Sequence, residues 1–157
     1  MPRLTVPVEL RWADVDSNGH VNNVAYLTLL EEVRIRALHP LIRGSASASA
    51  GAGGVVTRGG RAPVVVARHE VEYLRQLTWS PEPVEVDIWA ARLGGASCEI
   101  HHVLRASTGE ECVRVITTLV YLDPGTQRPR PLTDAERAAY AGLLDEPLVM
   151  RGSPARV

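Results

Sequence analysis

The sequence predicts an α+β domain in which a curved antiparallel sheet wraps one long helix. Two observations carry that expectation. Residues 23 to 38 hold Val24, Tyr26, Leu27, Leu29, Leu30, Val33, Ile35 and Leu38, an apolar surface wider than the single stripe of an outer helix. From residue 62 to 122 the pattern is strand throughout, broken by short turn signals. A sheet curved around the helix is then the natural way to cover it. The sheet's far face and edges would stay open, which predicts oligomers.

Taken in order, residues 3 to 13 read as a first strand through Leu4, Val6, Val8, Leu10 and Trp12. The chain breaks at Ser17-Asn18-Gly19, and the helix begins near Asn22 or Asn23 and is stopped by Pro40. Gly, Ser and Ala then dominate residues 44 to 54, too little apolar surface to order a segment. The stretch 44 to 60 reads as a mobile loop, either a floppy insertion or a lid. A four-stranded antiparallel meander is expected next, over 63 to 77, 83 to 93, 96 to 106 and 111 to 122. Gly94-Gly95 and Thr108-Gly109 supply hairpins, and Asp123-Pro124-Gly125 closes the last strand. Thr133-Asp-Ala-Glu136 is a capping-box pattern opening a short helix to about Leu144. One domain over residues 1 to 146, followed by a loose tail from 147 to 157, accounts for the chain.

The 157 residues are 45% hydrophobic and 22% charged with a net charge of −1, so no bulk basic field argues for nucleic acid. All 17 basic residues are Arg, and there is no Lys or Phe. Positive contacts to a ligand must therefore come from Arg, which grips phosphates in a bidentate fork. The N-terminus lacks the apolar core of a signal peptide, and no apolar run approaches a membrane span, so the expected location is cytoplasmic. Cys98 and Cys112 fall in paired strands, with Cys98 opposite Leu119 and Cys112 opposite Arg105. The offset is roughly 20 Å, too far for a disulfide.

The chemistry concentrates in Arg11 to Arg34. Asp and Asn residues precede the helix, whose first N–H groups lack helical partners and whose start carries a partial positive charge. An acid anion and amide donors are thus aimed at nearly one point, which suits hydrolysis of an acyl group. His69, His101 and His102 make no metal site, because the adjacent pair points to opposite faces of its strand. There is no Gly-rich nucleotide loop and no Gly-x-Ser-x-Gly, which disfavours Rossmann cofactors and α/β-hydrolase chemistry. No cofactor or metal is expected.

Arg-x-x-Asp-x-Asp-x-x-Gly-His-Val-Asn-Asn-x-x-Tyr-Leu, standing here from Arg11 to Leu27, resembles the signature of hotdog-fold thioesterases of the 4-hydroxybenzoyl-CoA thioesterase type. It is also similar to that of fatty acyl-ACP thioesterases. Val71-Glu-Tyr-Leu-Arg75, Val120-Tyr-Leu-Asp-Pro124 and Arg128-Pro-Arg-Pro131 look like further landmarks, so the resemblance spans about residues 5 to 140, with no family pattern in 44 to 60. It implies a hotdog fold, homodimers or homotetramers, and active sites at the dimer interface. By motif position Asp16 matches the catalytic carboxylate, and the backbone N–H of Asn23 matches the donor that polarises the thioester carbonyl. Gly19 allows the turn between them, while His20, Asn22 and Tyr26 line the site.

Asp16 would act as general base on water or attack directly to form a mixed anhydride. Asp-x-x-Gly is also a common turn, so Asp16 has a purely structural reading as well. Asp14 is either a second carboxylate or the acceptor for Arg11. His20 is a base or a loop-fixing hydrogen-bonding group. Glu31 is a reserve catalytic acid on the helix, or part of a Glu–Arg pair with Glu32, Arg34 and Arg36. Arg75, Arg92, Arg128 and Arg130 are candidates for holding CoA phosphates. The expected partner is an acyl-CoA, with an acyl carrier protein thioester and non-catalytic acyl binding as rivals; a hotdog dehydratase ranks below these. The absence of Phe leans toward aliphatic acyl groups.

Overall fold

The computed structural model describes residues 3–43 and 63–151. The loop expected over 44 to 60 lies outside them. The described residues form five strands and two helices in order: β1 Leu4–Val8, α1 Asn23–Arg43, β2 Val64–Tyr73, β3 Val84–Leu93, β4 Ser97–Arg105, β5 Glu111–Tyr121 and α2 Asp134–Ala141. The strands form one antiparallel sheet in the order β1-β3-β4-β5-β2. α1 packs on its inner face: Tyr26, Leu29, Leu30, Val33 and Leu38 share one core with Val86, Ile88, Ile100, Leu104, Val113 and Val115.

Five expectations need correction. The first strand ends at Val8, and residues Trp12–Asp14 form a 3-10 turn instead. Asp14 causes the break: its carboxylate accepts the Arg11 backbone N–H at 2.8 Å and the Arg11 guanidinium at 2.7 Å, a local closure that competes with strand pairing. Pro40 does not stop α1, which runs on to Arg43. So near the C-terminal end, proline deprives the helix of a single N–H bond and leaves the core turns intact.

The sheet is also not a sequential four-stranded meander. β3, β4 and β5 are joined by tight turns, but β2 pairs with β5 at the opposite edge from β1. The intervening residues 74–83 carry Pro81 and Pro83, which suit a long connection rather than a hairpin. Finally, the far face is not bare, and residues 147–151 are not loose. The chain after α2 crosses the outer face as a strap, where the Trp89 indole donates to the Glu146 carbonyl at 2.9 Å and the Leu148 N–H donates to His101 Nδ1 at 3.0 Å. The Arg151 N–H reaches Glu72 at 2.9 Å, and Met150 is buried. Hydrogen bonding and one apolar anchor thus order a segment whose composition reads as loop.

α1 covers the sheet with one face, while Val24 and Ile35 are 64% and 53% exposed on the other side. α2 opens as expected. The Glu136 N–H donates to Thr133 Oγ1 at 3.2 Å and Glu136 accepts the Thr133 N–H at 2.8 Å, a cap worth about 1 kcal/mol. Cys98 faces Leu119 as expected, whereas Arg105 pairs with Glu111 across a register shift. Both cysteines are buried free thiols; burial pushes Cys98 up to about 12 and Cys112 upward, which disfavours the reactive thiolate.

Candidate active site

The site is built around the entry to α1. Val15 and Val21 form a small bridge, and between them the Asp16 N–H donates to the His20 carbonyl at 2.9 Å while the Gly19 N–H donates to the Asp16 carbonyl at 3.0 Å. Gly19 sits at φ +79°, where other residues are strained. This tight turn is tied down at its exit: Val21 N–H donates to the Leu77 carbonyl and Asn22 N–H to the Asp14 carbonyl, each at 2.7 Å. Asn22 then caps the helix, its Oδ1 accepting the Val24 N–H at 2.9 Å and its carbonyl accepting the Ala25 N–H at 2.9 Å.

One donor of the first turn is left over. The Asn23 N–H has no acceptor among the described residues, and it stands at the positive end of a 21-residue helix. Asn23 is one of the residues lining a pocket of about 200 Å³, with His20, Val21, Tyr26, Tyr73, Leu74, Arg75 and Gln76. The Tyr73 hydroxyl donates to the Asn23 carbonyl at 2.9 Å, and the rings of Tyr26 and Tyr73 lie 5.7 Å apart. Burial raises both phenols, Tyr26 to about 12, so both are neutral donors at ordinary pH.

The sequence-derived candidates divide on this geometry. His20, Asn23 and Tyr26 come together in the pocket; Gly19 and Asn22 shape its rim through turn and cap. Asp16 is half-buried on the turn, with Oδ1 accepting the Asn18 N–H at 2.8 Å, and does not line the pocket within one protomer. Glu31 is also apart. It is two turns along α1, 61% exposed, and 3.9 Å from Arg34. Asp14 is the structural acceptor for Arg11: burial alone would raise its carboxyl, but Arg11's hydrogen bonds outweigh that and hold it below the usual range.

Of the four arginines considered for CoA, Arg75 alone lines the pocket. Arg130 is committed to Glu136 through contacts of 2.7 and 2.8 Å. Tyr73 and Leu77 hold the helix entry through Asn23 and Val21, contacts that spacing does not reveal. Tyr73 stood within a recognised landmark, but its link to Asn23 spans two distant segments. His101 and His102 face opposite sides of β4, as expected from alternation. Among the described residues, no group of three or more His, Cys, Asp or Glu is placed to hold a metal. No described helix is long and apolar enough to cross a membrane.

Comparison with known proteins decides the family. The model described as the thioesterase-like superfamily matches residues 10–140. The chain belongs to the thioesterase-like superfamily. Its hotdog fold is shared with a predicted thioesterase from Bacillus stearothermophilus, at 21% identity and a TM-score of 0.77, covering 92% of this chain and 98% of that one. A thioesterase from Thermus thermophilus, solved in complex with coenzyme A and zinc, is 30% identical with a TM-score of 0.70, covering 94% of this chain and 97% of its own. A proposed acyl-CoA thioesterase from Xanthomonas campestris is 34% identical with a TM-score of 0.59, covering 78% and 95%. The superfamily match begins at Leu10 and so takes in the whole turn, cap and helix entry that build the pocket.

Proposed function

We propose that this thioesterase-superfamily chain hydrolyses an acyl-CoA to the free carboxylic acid and CoA. The observation that carries the reading is Asn23, whose N–H has no acceptor among the described residues, lining a pocket beside His20 and Tyr26 at the positive end of α1. The thioester oxygen accepts from this amide. Water attacks the carbonyl carbon, giving its proton to Asp16; the tetrahedral oxyanion is held by the Asn23 N–H; the C–S bond then breaks and the thiolate takes up a proton. A single such amide donor is worth on the order of 10²–10³ in rate. Direct attack by Asp16, giving a mixed anhydride that water cleaves, uses the same residues.

Asp16 lies outside the pocket of one protomer, which supports a site completed between two copies. β2 is an edge strand with Val64, Val65 and Val66 each about 40% exposed, at 41%, 42% and 40%. An unpaired apolar edge favours pairing with a second chain, giving a homodimer or a homotetramer. Arg75 at the pocket would contact the CoA phosphates or the phosphopantetheine of an acyl carrier protein. The free thiols of Cys98 and Cys112 suit a reducing cytoplasm.

Hydrolysis of a panel of acyl-CoAs by wild type, Asp16→Asn and Asp16→Ala tests the proposal. The expected result is turnover by wild type and a loss of two to four orders of magnitude in both variants, on the scale of general-base catalysis. Full activity in both variants would sink the role of Asp16 and move attention to Glu31. Turnover confined to acyl carrier protein thioesters would change the thiol partner.

A further inference from the structure

We propose that Glu110, at the end of the turn between β4 and β5, is a specificity-determining residue for the thiol side of the substrate. It holds Arg75 in an ion pair at the pocket and yields it to a phosphate of the incoming thioester. This rests on the acyl-CoA hydrolysis reading above and adds the group that competes with the substrate for its counter-charge.

Arg75 is the one arginine among the residues lining the pocket, in a chain that has no Lys. Its Nη1 lies 3.4 Å from Glu110 Oε1, and Glu110 is the only acid within ion-pair distance of it among the described residues. Both side chains are well exposed, at 62% and 57%. Arginines that serve the fold are held more closely: Arg130 meets Glu136 through contacts of 2.7 and 2.8 Å, and Arg114 meets Glu111 through contacts of 2.6 and 3.0 Å. A single contact of 3.4 Å in water shifts an equilibrium only a few-fold. A phosphate takes the guanidinium fork bidentately and carries more charge, so it can exchange for the carboxylate.

Backbone bonds bring the two residues together. The Leu74 and Arg75 N–H groups both donate to the Cys112 carbonyl, at 2.8 and 3.2 Å, which fastens the chain leaving β2 to the start of β5. Glu110 stands two residues before Cys112, and its carbonyl accepts the Ala106 N–H at 2.9 Å. The turn closes on Gly109, at φ +88°, whose N–H donates to the Ala106 carbonyl at 2.8 Å. Thr108 Oγ1 lies 3.5 Å from the second carboxylate oxygen of Glu110. The hairpin thus carries a negative charge to the one arginine of the pocket wall.

The exchange separates substrates by what their thiol arm carries. An acyl thioester of pantetheine offers Arg75 no charge, and the pair with Glu110 stays closed. An acyl-CoA brings phosphates, so binding replaces one contact of Arg75 by another and gains only the difference between them. Without the Glu110 charge the whole phosphate contact would count. The product CoA keeps the same phosphates, so Glu110 also retakes Arg75 as the product leaves.

The test compares kcat/KM for one acyl group carried on CoA and on pantetheine, in wild type, Glu110→Gln, Arg75→Met and the double variant. In Glu110→Gln the CoA-to-pantetheine ratio is expected to rise about two- to fivefold, the scale of an exposed ion pair, through KM rather than kcat. Product inhibition by CoA should strengthen by a similar factor. In Arg75→Met the ratio falls, and adding Glu110→Gln no longer raises it. Calorimetric titration with free CoA and free pantetheine makes the same comparison without turnover. Tighter CoA binding in Glu110→Gln, lost in the double variant, with no hydrolysis of any thioester, would support the exchange and strike the enzymatic reading. Hydrolysis with the same ratio in wild type and Glu110→Gln would overturn the exchange and leave the enzyme standing. An equal rise with and without Arg75 would also overturn it, because Glu110 would then act on the substrate by its own charge.

Discussion

Tyr73, at the C-terminal end of β2, donates its hydroxyl to the carbonyl of Asn23, the first residue of α1, at 2.9 Å. The bond pins the helix start to an edge strand 50 residues away in sequence and fixes where the free Asn23 N–H points. The same ring forms one wall of the pocket.

Tyr73→Phe keeps that wall and removes the pin. A half-exposed hydrogen bond of this kind contributes about 1 kcal/mol, so the thermal midpoint should fall by only a few degrees. The rate should respond more, because an oxyanion donor acts only when aimed. The expected result is a drop in kcat of about tenfold with little change in KM, read from steady-state kinetics beside a thermal melt. An unchanged kcat would mean that the cap by Asn22 alone orients the amide.

Gly19→Ala isolates the turn before the helix. A Cβ at Gly19 would meet nothing within 4 Å, so crowding is not the issue. The cost is the φ of +79°, about 1–2 kcal/mol for a residue with a side chain. If the turn relaxes to relieve it, the Asp16 and Asn23 groups shift relative to each other and turnover falls. Denaturant unfolding and kcat measured together should both decline, with Gly95→Ala, also in open space but without a positive φ, as the control.

The local parts of this structure were legible because local chemistry decides them. The Asn22 cap, the Gly19 turn, the Thr133–Glu136 box and the opposite facing of His101 and His102 follow from spacing and residue type within a few positions. What escaped depends on distant partners. The pairing of β2 with β5 is set by the register of Val71 on Val115 and Tyr73 on Val113, contacts that no turn motif announces. Arg34 and Glu31 have the spacing of a surface helix pair, and the structure buries one partner while exposing the other. Asp14 has the spacing of a second acid, but Arg11 occupies it.

The strap was the largest miss, and it carries a prediction. Met150 is 4% exposed although its neighbours Val149 and Arg151 are exposed. Met150→Ala should lower unfolding stability by about 2 kcal/mol, the low end for a buried Met in a segment able to shift. A loose tail would show no change. Amide exchange at Leu148 offers a second reading, since its N–H is protected by His101 Nδ1; it should exchange faster in the variant.

His102 makes acid stability testable. Burial, aided by the charge of Arg34, pushes its imidazole down to about 3, with smaller contributions from His101 and His69. In the unfolded chain the same group titrates near 6.5. Between those values the unfolded state binds a proton that the folded state refuses, so His102 makes stability fall as pH drops from about 6.5 toward 3 and contributes no slope above. The limiting slope for one such group is roughly 1.4 kcal/mol per pH unit. His102→Leu removes it and also removes two unpartnered buried nitrogens, which is neutral or stabilising at pH 7. Urea midpoints for wild type and His102→Leu should therefore be similar at pH 7 and diverge progressively below pH 6, with the variant more stable. Parallel curves down to pH 4 would show that the buried imidazole already carries its proton in the folded protein.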